Sequence, residues 1–127
     1  MRREKMRRMP RLLPEPIRIE AAGTPTKLID EHVGLMATGD DRVSIAVMHS
    51  PQGWSEPAQA PDFDEWTLVL AGVLHVEHDG GTLTVAEGQT VHVPAGEQVR
   101  YSTPDGATEY ISVCLPAFSP QRVHRVE

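Results

Sequence analysis

From residue 43 onward the chain falls into short apolar runs set apart by turn residues. Residues 43–49 (VSIAVMH) and 66–71 (WTLVLA) are apolar on both faces, whereas 73–78 (VLHVEH) alternate. Asp79-Gly80-Gly81 is a hairpin signal. Further runs at 82–85, 90–93, 98–102 and 109–115 are broken by Glu87-Gly88, Pro94-Ala95-Gly96 and Pro104-Asp105-Gly106. Helical periodicity of useful length is absent after residue 33. The pattern therefore predicts an all-β domain, an antiparallel sandwich or barrel. Upstream, Pro10, Pro14, Pro16 and Pro25 remove amide donors and block helix. They predict an extended lead-in with an edge strand at 17–19. Residues 26–32 (TKLIDEH) predict a single helical turn, and the tail, 116–127, is expected to lie across the outside of the barrel.

Size and charge refine this picture. The 127 residues fit one domain. Residues 16–127 are assigned to the barrel and 1–15 to a basic tail, extended or disordered. The lone cysteine, Cys114, makes no internal disulfide, and the absence of CxxC and Cys/His clusters excludes zinc-finger sites. No run of about eighteen apolar residues is present to span a bilayer, and no hydrophobic signal segment follows the N-terminal arginines. A cytoplasmic protein is expected. Six of the 12 basic residues fall within 1–11, against Glu4 alone. The remaining body carries a net charge of about −11, which argues against a nucleic-acid partner.

The chemistry is concentrated in GWSEPAQAPDFDEWTLVLAG, residues 53–72. Trp54, Glu56, Gln59, Asp62, Asp64 and Glu65 crowd the approach to an apolar strand. Solvated carboxylates can sit anywhere on a surface, so one that leads directly into an apolar strand, Glu65, points to function. Strand alternation places Thr67 and Val69 on the face of Glu65, and Tyr101 on the face of Val99 with Arg100 opposite. Thr90 and His92 share a face, which the pattern leaves undecided.

Two spacings carry a family likeness. Glu65-x6-Gly72 and Gly88-x5-Pro94-Ala95-Gly96, in that order within an all-strand pattern, resemble the two motifs of the cupins. These are small RmlC-like jelly rolls, each a double-stranded β-helix barrel. The resemblance covers roughly residues 43–115. It implies a barrel with an internal cavity, small-molecule chemistry and frequent homodimers. Cupins usually hold a divalent metal with two histidines and a glutamate of the first motif and one histidine of the second. The corresponding positions here are Gln59, Pro61, Glu65 and Val99. Only Glu65 survives as a good ligand, and an amide oxygen at Gln59 suits hard cations rather than zinc, iron or copper. The expected cofactor is therefore none, or a divalent metal on the oxygen ligands Glu65, Gln59 and Asp62.

These residues predict a barrel that binds a small polar organic molecule. Glu65 and Tyr101 are the candidate catalytic pair for proton-transfer chemistry of an isomerase, epimerase, lyase or cyclase type. Trp54, Glu56, Gln59 and His92 are the candidate ligand contacts. The alternatives are a non-catalytic binding or sensing module and a metal-dependent cupin with an oxygen-rich site. Neither a nucleic acid nor a membrane is expected as a partner. A homodimer is expected, joined by the lead-in at 17–19 and the tail around Phe118.

Overall fold

A computed structural model describes residues 9–21 and 23–126. Most of the expected basic tail therefore lies outside the described residues. The strands are β1 (Ile17–Ala21), β2 (Lys27–Val33), β3 (Ser44–Ser50), β4 (Trp54–Ser55), β5 (Asp64–Ala71), β6 (Val73–His78), β7 (Gly81–Ala86), β8 (Thr90–Val93), β9 (Arg100–Thr103) and β10 (Thr108–Leu115). A single helical turn, α1, spans Pro120–Val123. A six-stranded sheet in the order β1-β2-β3-β10-β5-β8 faces a four-stranded sheet in the order β4-β9-β6-β7. The strand pairings are antiparallel. This is the all-β cupin barrel that the alternating pattern and the motif spacing led us to expect. No helix among the described residues is long and apolar enough to cross a membrane.

The apolar runs build one main core. Trp54, Val69, Leu74, Val76, Val85, Val91, Val93, Val99, Tyr101 and Tyr110 form a single buried cluster. The alternation along β5 is strict, with Glu65, Thr67 and Val69 buried and Trp66, Leu68 and Leu70 exposed on the outer face. The sheets are linked at Gly72, between β5 and β6, which adopts φ 89°. A Cβ there would meet the Ala107 carbonyl oxygen at 2.7 Å and Thr108 Oγ1 at 2.8 Å. Gly72→Ala combines left-handed strain with this backbone clash and is expected to lower the unfolding free energy by about 1–3 kcal/mol. Urea unfolding measures it; a loss under about 0.5 kcal/mol would contradict the strained-corner account.

Two local expectations are corrected. Residues 26–32 are not a helical turn: β2 occupies them and pairs with both β1 and β3. Two ladder partners outweigh the local helix preference, and Arg18, opposite Asp30, adds a cross-strand ion pair at 2.8 Å. The tail is not laid over the outside either. Val123 is fully buried in a second cluster with Phe63 and Cys114, and Phe118 packs on Phe63 with ring centroids 6.0 Å apart. Backbone bonds from Ala60 to the His124 carbonyl and from Asp62 to the Arg122 carbonyl tie the tail to the approach before β5. The tail closes the barrel end beside Glu65, and Phe118 is spent within its own chain.

Candidate functional site

Between the sheets lies a cavity of about 200 Å³. Glu65 reaches it from β5, Tyr101 from β9, Cys114, Ser112 and Tyr110 from β10, and Glu56 and Gln59 from the approach to β5. Glu65 is 7% exposed. Tyr101 Oη donates to its Oε1 at 3.2 Å, and Cys114 Sγ donates to its Oε2 at 3.8 Å. Burial pushes the Glu65 carboxyl up from the usual carboxylate range, against the downward pull of Lys27 and of its hydrogen bonds. Burial and the Glu65 charge together raise Tyr101 well above an ordinary phenol. A protonatable carboxyl and a neutral phenol thus share one hydrogen bond at the cavity wall. Such a pair holds a proton at a fixed place and can pass it to a bound molecule.

Glu56 lies on the same cavity and accepts from the Tyr101 backbone N–H at 3.2 Å. Burial raises its pKa to about 7, with Lys27 opposing and Glu65 reinforcing the shift. Its proton stays on in the folded chain at pH values where it leaves the unfolded one, so the native state binds the extra proton. Stability from this group is therefore present below pH 4.5, its unfolded value, and falls as pH rises toward about 7. The loss attributable to Glu56 is up to about 3 kcal/mol. Glu56→Gln is expected to remove that part of the slope. Paired urea titrations at pH 5 and pH 8 test this; equal pH dependence in the two proteins would refute it.

The structure brings Glu65, Tyr101, Glu56 and Gln59 together and leaves three other candidates elsewhere. Gln59 is 8% exposed, and its main chain exchanges bonds with Val99 at 2.9 and 2.8 Å. Trp54 is fully buried in the core rather than on the cavity lining, with Lys27 Nζ 4.4 Å from its ring centroid. His92 stands on the outer face of β8, stacked on Trp66 at 4.7 Å and bonded to Asp64 at 3.1 Å. The strict alternation of β5 turns Trp66 outward, and His92 lies opposite it. Asp62 also faces away, its carboxylate 62% exposed and 2.6 Å from His124 Nε2.

A metal site of the family type does not fit these residues. Pro61 and Val99 offer no donor, and Asp62, the third oxygen of the alternative set, is turned to solvent. Among the described residues no group of three or more His, Cys, Asp or Glu side chains could hold a metal ion.

Lys27 was not among the residues singled out from the sequence. It is 6% exposed and lines the cavity with Ile29 and Glu31 of the same strand. The period-2 placement of Lys27, Ile29 and Glu31 was the available signal, hidden by reading 26–32 as a helical turn.

The family model described as "Ethanolamine utilisation protein EutQ" matches residues 31–119. "Endoribonuclease YbeY" of Myxococcus xanthus is 44% identical over 99 residues, covering 77% of this chain and 34% of that protein. "Acetate kinase EutQ" of Escherichia coli is 34% identical over 90 residues, 67% of this chain and 37% of that one. The chain thus spans about a third of the length of these curated relatives. The polyketide cyclase RemF from Streptomyces resistomycificus shares the fold with a TM-score of 0.72 at 18% identity, over 94% of this chain and 86% of that one.

Proposed function

The chain belongs to the EutQ family of cupin-fold proteins, and from that premise we propose that its barrel binds a small polar organic molecule on which Glu65 and Tyr101 transfer a proton. The observation that carries this reading is the Tyr101–Glu65 hydrogen bond of 3.2 Å inside the cavity. A carboxyl raised by burial gives and takes its proton at higher pH than an exposed glutamate does. Glu56 and Gln59 orient the molecule. The names of the curated relatives describe chains about three times as long, so the reading rests on the cavity and not on those names.

Occupancy is tested with small carbonyl, hydroxy and carboxylic compounds, followed by protein NMR. Ala46 is 7% exposed and lines the cavity from β3. Ala46→Phe projects a ring into that space and is expected to abolish binding while the fold persists. Unchanged binding in the folded variant would place the ligand elsewhere and sink the proposal.

The proposal includes a homodimer, expected from the cupin resemblance. Trp66, Leu68, Leu70 and Leu115, each at least 36% exposed, offer an apolar outer sheet face for it to cover. Light scattering is expected to give twice the chain mass at roughly 10 μM, an ordinary working concentration for specific dimers; a monomer there counts against it.

A further inference from the structure

We infer that the cavity holds its ligand by a carboxylate seated on the ammonium of Lys27. The inference rests on the reading of the cavity as a small-molecule site and adds the charge of the molecule and the residue that anchors it. Lys27 enters from the start of β2 and is 6% exposed. Its Nζ sits 4.4 Å from the Trp54 ring centroid and 5.7 Å from that of Tyr110. Among the described residues no carboxylate lies within 4.0 Å of it. Aromatic faces return only part of the hydration that a buried ammonium gives up. A cation buried against two rings and facing an open cavity lacks a close counter-ion, and an anionic ligand group supplies one.

The groups that face Lys27 favour an anion. Burial works to discharge the lysine, but its hydrogen bond with the Tyr110 phenol and the negative charge of Glu56 and Glu65 outweigh it, so the ammonium stays charged. Burial raises Glu56 and Glu65 in turn, against the downward pull of Lys27, so each takes up a proton more readily than an exposed glutamate does. Tyr101 and Tyr110 are held as neutral phenols by burial. Of the other charged lining groups, Glu31 is engaged with the backbone N–H groups of Met36 and Ala37 at 2.9 Å each, while Glu20 and Arg125 line the same cavity. The lining thus carries two cations, the buried Lys27 and the exposed Arg125, among carboxyl and phenol groups, and Lys27 is the one enclosed by the aromatic faces. An arriving carboxylate pushes Glu56 and Glu65 further toward protonation, so binding takes up protons. An arriving ammonium ion does the reverse.

The test uses benzoate, benzylammonium and benzyl alcohol as matched probes in isothermal calorimetry. Titrations at pH 6 and pH 8 are run in buffers of different ionisation enthalpy. The expected result is that benzoate binds best, takes up protons, and weakens by about threefold or more at the higher pH. Lys27→Met is expected to weaken benzoate by about tenfold or more, with Lys27→Arg recovering part of the loss. The proton count on the native protein reads the same point without any variant. Preference for benzylammonium, proton release with benzoate, or full benzoate affinity in folded Lys27→Met would each overturn the inference. If benzyl alcohol binds and benzoate does not, the carboxylate anchor fails while the small-molecule cavity stands. If no probe binds, both fail.

Discussion

Trp54→Ala is expected to lower the unfolding free energy by about 3–5 kcal/mol, the range for emptying a fully buried large aromatic site. Trp54 is completely buried and belongs to the main core cluster. It lies on the two-residue strand β4, which pairs with β9 and is bridged through Ser55 to Thr24, so the backbone around the ring is held on both sides. The loss is large against the roughly 5–15 kcal/mol that holds a domain of this size together. It corresponds to a fall in Tm on the order of 10–20 °C. The ring also underlies the Lys27 ammonium, so the variant leaves that charge with the more distant Tyr110 face. Trp54→Phe keeps an aromatic face and most of the volume and is expected to restore more than half the loss. Urea unfolding of the three proteins decides the matter. A Trp54→Ala loss below about 1 kcal/mol would mean that the site collapses and the ring is not a structural anchor.

The residues explain which parts of the molecule were legible in the sequence. Strand alternation is local, so the inward set of Glu65, Thr67 and Val69, and Tyr101 opposite Arg100, followed directly from period 2. The turn residues between the later strands are equally local, and 73–78 and 90–93 were bounded correctly. The fate of 26–32 depended on partners far along the chain, because β2 is held by β1 on one side and β3 on the other. Losing that strand also lost Lys27, whose meaning comes only from the Trp54 and Tyr110 rings. The side of the sheet that His92 takes is set by its register with Trp66 on β5. Asp62 faces outward because its backbone N–H is bonded to the carbonyl of Arg122 in the tail. Strand patterning is silent on a contact between residues so far apart, and it placed the tail outside for the same reason.

Glu65→Gln is the substitution that separates catalysis from simple binding, and it is expected to slow proton transfer by about 10²–10⁴-fold. Glutamine keeps the volume and an oxygen acceptor for Tyr101 Oη but carries no exchangeable acid proton, so the fold and most of the binding survive. Because burial raises the Glu65 carboxyl, the native state holds its proton to higher pH than the unfolded chain does. That contribution to stability is present below the ordinary glutamate range and is lost as pH rises toward the folded value. The glutamine variant lacks this loss and is therefore expected to be at least as stable as the parent at pH 8. A loss of turnover in the variant thus reports chemistry rather than unfolding. The measurement is proton NMR in deuterated buffer, following exchange of C–H protons next to a carbonyl in compounds that bind the cavity. Exchange that is equal in the two proteins removes Glu65 from the reaction. A native protein that binds but never exchanges makes the barrel a binding module instead, with the 3.2 Å Tyr101–Glu65 bond serving only to seat the ligand.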